Sequence, residues 1–424
     1  MRPRPFRDLP REVAVLAAVA FVVALGFGLV APALPVFARS FHVGRTAAAA
    51  VISAFALMRL VSARGGGFLA DRLGERRVLA AGIGVVAGSS LLAGLSQNYG
   101  QLLALRGIGG VGSALFSVSA GSLLLRSVPN AQRGRATGVW AGAFLLGGIA
   151  GPAFGGAVTG IDIRLPFFLY AGALAVAGAI ALVALPSGAG AVGAVGAVGA
   201  AGDVGAATST ARASRLTLRE ALTEPAYRAA MAANFADGWA VLGVRTALVP
   251  LFVADVLHQR PIWTGVGFVV VAVVNAVVLL PAGRLADARG RRPVLIGGCL
   301  LSAAGMVVLA LVGSLSGFLA AMAVLGLGSG LLDVAPAAVV GDVAAGRGAT
   351  AVAAYQMAGD AGTVTGPLVS GRLTDVTSYG AAFGVTAAVL VAAAVLSALA
   401  PETRWRSGGA PPTGARRPGR PDRS

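Results

Sequence analysis

The chain has 424 residues, of which 56% are hydrophobic and 12% charged, with a formal net charge of +17. Soluble domains carry about 25% charged residues, so this balance, with a mean hydropathy of +0.81, excludes an ordinary soluble protein and points to lipid as the solvent. All 34 basic residues are Arg; in a soluble chain they would indicate nucleic acid, but here they punctuate apolar runs and read as topology signals, so no nucleic-acid partner is expected.

The first apolar run, 13–37, follows the basic lead MRPRPFRDLPREV. That lead imitates a secretory signal, yet the run is longer than a signal's apolar core and further runs follow, which predicts an uncleaved membrane helix. Runs at 46–69, 78–96, 101–125, 136–158 and 165–185 complete a first set of six. A second set lies at 227–254, 263–283, 293–313, 317–341, 350–372 and 380–400. Most reach the roughly 20 residues needed to cross a bilayer. The prediction is an all-α membrane protein with twelve transmembrane helices, spans 1 to 12. Residues 1–185 form an N-terminal six-helix bundle and 226–403 a C-terminal one. Between them, 186–225 contains the Gly-Ala-Val repeats of Ser187 to Ser214, poor helix sequence that predicts a flexible linker. The Pro/Gly/Arg-rich residues 404–424 are expected to be a disordered tail.

The two sets are copies. GFLADRLGERRVL (Gly67 to Leu79) recurs as GRLADARGRRPVL (Gly283 to Leu295) at an offset of 216, with eight of thirteen positions identical. A parallel repeat at half the chain length, around charged islands, predicts two pseudo-symmetric bundles. With an N-terminus in the cytoplasm, 25 arginines fall in inside segments, including Arg126, Arg133, Arg135 and Arg347. Only Arg39, Arg45, Arg164, Arg260 and Arg372 fall outside. The positive-inside rule then places both termini in the cytoplasm of a cell-membrane protein.

The island GGFLADRLGERR resembles the loop between helices 2 and 3 of the major facilitator superfamily, through Gly67, Asp71, Arg72, Gly74 and Arg76. The second copy, Gly283, Asp287, Gly290, Arg291 and Arg292, is similar to that family's loop between helices 8 and 9. The resemblance covers roughly residues 13 to 405 and implies the family's fold and alternating access. On physical grounds Gly67 is expected to end a helix and Gly74 to form a tight turn. Asp71 can meet the positive end of a helix dipole. The resemblance implies that this partner is span 11, starting near Thr350, and that the contact holds the outward-facing state. By pseudo-symmetry Asp287 would face the start of span 5 near Arg135. Simple positive-inside anchoring is the other reading of these loops.

Span 4 carries LALRGIGGVGSA, which resembles the family's second motif through Arg106, Gly110 and Gly112 and implies a part in proton coupling. An arginine there is costly and should face the bundle interior or a cavity. At the corresponding place span 10 has Met322, which favours a functional Arg106 over an architectural one. Span 5 reads GGIAGPAFGG, with Gly147, Gly151, Pro152, Gly155 and Gly156 matching the antiporter-branch motif. Gly147, Gly151 and Gly155 share one helix face, and Pro152 bends the helix. A weaker copy, Gly362 to Gly371, lies in span 11. Close packing alone would also account for both.

The remaining intramembrane charges are Arg59 and Arg64 in span 2, Asp237 and Arg245 in span 7, Asp333 in span 10 and Asp360 in span 11. Arg64 is near enough to an end to snorkel. Asn234, Asp237 and Arg245 are expected on one side of span 7. Spans 1, 4, 7 and 10 line the central path in the resembled family, so Asp237 and Asp333 are candidate proton carriers or anchors for a cationic substrate. A static Asp237–Arg245 pair is the competing reading. Arg59, two turns deeper than Arg64, Arg245 and Asp360 are counted with the proton-coupling or substrate path, bonding to the adjacent bent backbone being the other reading of Asp360. Span 1 lacks the acid that many drug/proton antiporters of the superfamily carry there.

No phosphate-binding loop, nucleophile–base set or Cys/His cluster is visible, so no enzyme activity, metal or cofactor is expected. Cys299, the single cysteine, lies in an apolar run and reads as a buried hydrophobe; His42 and His258 fall in outside loops. The function expected is secondary active transport, proton-coupled efflux of a small, partly apolar compound by a monomer in the bilayer. An importer or exchanger of a sugar, organic acid or other metabolite is the alternative, and a non-transporting membrane sensor a more distant one.

Overall fold

The computed structural model describes residues 9–129, 132–185, 217–344 and 349–403. The repeats of Ser187 to Ser214, Arg347 and the tail 404–424 lie outside the described residues, as does the side chain of Arg64. Eleven helices among the described residues are long and apolar enough to cross a bilayer. The twelfth long helix, Ala349–Val376, has 28 residues and is more polar through Asp360, Arg372 and Asp375. Twelve spans in two bundles result, matching the expected fold class.

Three spans are not the continuous helices the apolar runs predict. Span 1 is Arg11–Val30 followed by Leu34–Arg39, interrupted at Ala31–Ala33, where Pro32 and Pro35 deny the backbone two donors. Span 7 runs Pro225–Asp237, then a π-helical stretch Gly238–Val244, then Arg245–Asp255. Span 10 is Leu315–Leu332 and Ala335–Ala344, with Asp333 in the gap and Pro336 just beyond it. A short helix, Leu218–Thr223, precedes span 7; its capping box sets Thr217 against Glu220, whose carboxylate the Thr217 bonds hold below its usual range.

The bundles are built on glycine-to-backbone contacts. Span 5, Arg133–Thr159, lies on span 1 so closely that a Cβ at Gly147 would come within 2.9 Å of Leu25 N, and one at Gly151 within 2.9 Å of Gly28 Cα. A Cβ at Gly155 would stand 2.8 Å from Leu29 Cα. Span 11 repeats this on span 7, where a Cβ at Gly362 would meet Trp239 N at 2.7 Å. Gly151→Leu should therefore lower stability by about 1–3 kcal/mol through overpacking. Gly148→Leu, with open space beside it, should stay within about 0.5 kcal/mol. Thermal unfolding of the two variants in detergent checks the contrast.

The last glycine of each copy joins the two bundles. A Cβ at Gly156 would lie 2.9 Å from Gly265 Cα in span 8, and one at Gly371 would lie 2.9 Å from Thr46 Cα in span 2. Both contacts sit at the end of the molecule away from the termini.

The islands turn as expected at their second glycines: Gly74 has φ +87° and Gly290 φ +103°. Gly67 does not end a helix. Span 2 continues over Arg45–Leu73 and span 8 over Pro261–Arg289, and neither Gly67 nor Gly283 has an atom within 4 Å of a Cβ position. Apolar neighbours such as Phe68 and Leu69 carry the helix on to the turn. Arg76 and Arg292 each donate to the end of the sixth helix of their half, at Leu182 O and Ala398 O. Beside them an ion pair occupies equivalent positions with its charges reversed: Glu75 with Arg126 at 3.3 Å in one half, Arg291 with Asp342 at 3.4 Å in the other. In the second half Glu402 also accepts from the N–H groups of Arg291 and Arg292 at 2.7 and 3.0 Å, seating the end of span 12 on the start of span 9.

Candidate substrate and proton path

Asp237, Arg245 and Asp333 stand at the backbone irregularities of spans 7 and 10. Asp237 is the last residue before the π-helical stretch, Arg245 the first after it, and Asp333 fills the gap of span 10. The three interact electrostatically with one another. Two acids therefore share one guanidinium without closing on it in a direct ion pair, and Arg245 instead lies over the Phe268 ring at 5.8 Å. Asp333 accepts from Asn275 of span 8 at 2.7 Å, and Asn275 also reaches Ser329 at 3.1 Å. Asp237 Oδ1 is buried without a hydrogen-bond partner. Irregular helices at membrane depth occur where they line a site.

Span 7 keeps Asp237 and Arg245 together across the π-helical stretch but turns Asn234 to another neighbour. Asn234 and Asp237 both precede this stretch, one turn apart, and face different neighbours: Asn234 donates to Tyr355 O of span 11 at 2.7 Å, while Asp237 interacts with Asp333 and, beyond the stretch, with Arg245. Nothing in Gly-Trp-Ala-Val-Leu-Gly-Val announces the stretch in sequence. Close approach to span 11 is what the glycines serve: a Cβ at Gly243 would lie 2.9 Å from Pro367 Cδ.

Arg106 is 5% exposed and its Nε has no partner. Its guanidinium lies over Phe55 at 4.5 Å, and Tyr170 of span 6 is its electrostatic neighbour. Gly110 lets this helix approach span 2, a Cβ there coming within 3.1 Å of Arg59 N.

Arg59 and Asp360 meet each other. Arg59 Nη2 donates to Asp360 Oδ1 at 2.5 Å, across the seam between bundles, with about a quarter of each side chain exposed. Asp360 thus binds the opposite bundle and not the bent backbone beside its own glycine motif. Sequence reading singled out both charges but could not join residues 301 apart.

Further bonds close the seam at the end away from the termini. Arg45, opening span 2, pairs with Asp255 of span 7 at 2.9 Å and bonds Tyr379 of span 12 at 3.0 Å. Asp375, closing span 11, accepts from the N–H groups of Arg45 and Thr46, both at 2.8 Å, and so caps span 2 from the other bundle. Ser53 donates to Val364 O at 2.7 Å. Asp255 and Asp375 were missed in sequence, although acids opposite the rare outside arginines were the available signal.

Asp71 is exposed and has no hydrogen bond or ion pair among the described residues, so it does not meet span 11 here. Asp287 pairs with Arg291 at 2.5 Å, across the turn at Gly290, rather than with Arg135. Arg72 lies over Phe68 of its own helix at 5.1 Å. Among the described residues no group of three His, Cys, Asp or Glu side chains could hold a metal.

The sequence profile of the Major Facilitator Superfamily matches residues 16–258 and again 230–421. The chain belongs to the Major Facilitator Superfamily. Within it, the quinolone resistance protein NorA of Staphylococcus aureus (strain MRSA252) is 29% identical over 175 residues, 41% of this chain and 45% of NorA. Multidrug resistance protein 2 of Bacillus subtilis (strain 168) is 30% identical over 169 residues, 40% of this chain and 42% of that protein. The chain thus matches a little under half the length of these curated relatives. A bacterial homologue of the human lysosomal transporter Spinster, solved inward-facing and unoccupied, superposes with a TM-score of 0.71 at 15% identity, over 94% of this chain and 96% of that one. A point mutant of the peptide transporter POT gives 0.73 at 14% identity, over 93% and 95%. This superfamily member is a multi-pass membrane protein of the transporter type, similar in sequence to NorA and multidrug resistance protein 2.

Proposed function

We propose that the protein exports a small, partly apolar compound in exchange for protons, as a monomer in the cell membrane with both termini cytoplasmic. The observation that carries the proposal is the Asp237–Arg245–Asp333 cluster: two acids and one base at the irregular midpoints of two path-lining helices. The group holds one more acid than base, so a single proton neutralises it, and low dielectric makes that neutrality valuable. The free Oδ1 of Asp237 offers the place for it. The antiporter-type motif of span 5 and the similarity to NorA and multidrug resistance protein 2 support export. Arginine distribution supports the orientation, under which the inter-bundle bonds of Arg45, Thr46 and Asp375 lie on the outer side.

Proteoliposomes of the purified protein with an acidic interior should accumulate a quinolone, and a protonophore should abolish the accumulation. Uptake driven by an acidic exterior would establish symport instead and favour the importer reading. Accumulation that survives the protonophore would remove proton coupling.

A further inference from the structure

We infer that the two seams between the bundles differ in kind. The contact of span 2 with span 11 is a latch that parts when the outer end opens; that of span 5 with span 8 is a pivot that holds. Neither role depends on cargo, protons or the direction of transport, only on movement of one bundle against the other. Discrete polar bonds hold the first seam over about four turns of span 2. Asp375 of span 11 accepts from the N–H groups of Arg45 and Thr46, both at 2.8 Å, and from the Thr46 hydroxyl at 2.6 Å. Further along, Ser53 donates to Val364 O and Arg59 pairs with Asp360. Such bonds are either made or broken, and those to a carboxylate are the strong ones.

The second seam is bare backbone. A Cβ at Gly156 would lie 2.9 Å from Gly265 Cα, and one at Gly265 would lie 2.5 Å from Pro152 O. Among the described residues no hydrogen bond or ion pair joins 152–160 to 261–268; the Thr159 hydroxyl turns back to Gly155 O of its own helix at 2.6 Å. Glycine lying on glycine brings the helices close yet leaves no side chain to unlock and no polar group to orphan. The two helices can turn about that contact without breaking anything.

The duplication shows that the difference is built in. Spans 2 and 8 register on the islands, so Arg45 and Ser53 correspond to Pro261 and Val269. Spans 5 and 11 register on Pro152 and Pro367, so Asp375 and Asp360 correspond to Gly160 and Leu145. Pro261 has no N–H to give, Val269 has no hydroxyl, and Gly160 and Leu145 have no carboxylate. Asn275, at the place of Arg59, bonds Asp333 within its own bundle. Only the glycine at the crossing survives in both copies, as Gly156 and Gly371.

Spin labels read the two seams separately. In a Cys299→Ala background, Ser40→Cys with Thr377→Cys flanks the seam of spans 2 and 11, and Ile161→Cys with Arg260→Cys flanks that of spans 5 and 8; all four positions are exposed. Pulsed electron–electron resonance on the purified full chain in lipid nanodiscs, with no cargo or gradient, then gives both distance distributions. Asp375→Asn should raise the population with the first pair apart by at least about tenfold. Thr46→Val, which removes only the hydroxyl bond and keeps every charge, should raise it by about threefold. The second pair should keep its parent distribution in both variants. Equal lengthening of the two pairs would mean a symmetric rocker and overturn the latch and pivot, as would parting confined to spans 5 and 8. An unchanged first pair in both variants would overturn the latch as well, and Thr46→Val reads it even if Asp375→Asn does not fold. No transport enters the measurement, so failure of gradient-driven quinolone accumulation would sink the efflux reading alone.

Discussion

Asp237→Asn should leave substrate binding intact and cut proton-driven accumulation by about 5- to 150-fold, the range of a typical coupling free energy. The amide keeps the size and most of the polarity of the carboxylate but removes the exchangeable proton. Asp333→Asn should act in the same direction, and its Oδ can still accept from Asn275, so any loss there reports the charge and not the hydrogen bond. The discriminating measurement is substrate–substrate counterflow, which needs the conformational cycle but no net proton movement. Counterflow near the wild-type rate with lost gradient-driven uptake identifies the carriers. Full gradient-driven uptake in both variants would place the proton elsewhere. Arg245→Met complements these: with the guanidinium gone, two acids face each other unscreened, and the pH dependence of transport should shift even where binding does not.

The second expectation concerns the bridge between bundles. Arg59→Ala leaves Asp360 unpaired in the seam, and should weaken the arrangement closed at the outer end by about 2 kcal/mol, below the 3–5 kcal/mol of a fully buried pair because water reaches about a quarter of each side chain. That free energy corresponds to a roughly 30-fold change in the open fraction. Ser53 reports it, being 3% exposed and bonded to Val364 O on the closed side. In a Cys299→Ala background, Ser53→Cys should react slowly with an impermeant thiol reagent added from outside, and about 30-fold faster once Arg59 is truncated. The reversal Arg59→Asp with Asp360→Arg should restore slow labelling. Equal rates in all three proteins would mean the pair does not govern the closed state.

The fold was largely legible because its causes are local: apolar runs of spanning length, arginines between them, and an island repeated at a fixed offset. Turn chemistry was legible for the same reason, since Gly74 and Gly290 sit where a positive φ is required. Helix interruptions were not. Pro32 and Pro35 hint at the break in span 1, but Gly238–Val244 reads as ordinary apolar helix and becomes π-helical only against span 11. In the candidate site the right charges were visible and most partners were not. Asp237 and Asp333 could be nominated together because both lie on path-lining spans, whereas Arg59 and Asp360 join helices that only the folded seam brings together. Asp71 shows a third limit: it is exposed and has no hydrogen bond or ion pair among the described residues, so the span 11 partner expected for it is not seen.

The span of chain between Arg59 and Asp360 also bears on how the protein is made. Ion pairs such as Glu75 with Arg126 and Arg291 with Asp342 close within one half, soon after that half emerges. Arg59 has to wait for a residue 301 positions downstream, which at about 5–20 residues per second is roughly 15–60 s of synthesis. Throughout that interval a half-inserted molecule holds an uncompensated arginine at mid-membrane, and Arg45 waits similarly for Asp255 and Asp375. Docking of the two halves is therefore the step that neutralises the nascent chain, and ribosome-bound intermediates lacking span 11 should be the ones that quality-control proteases recognise.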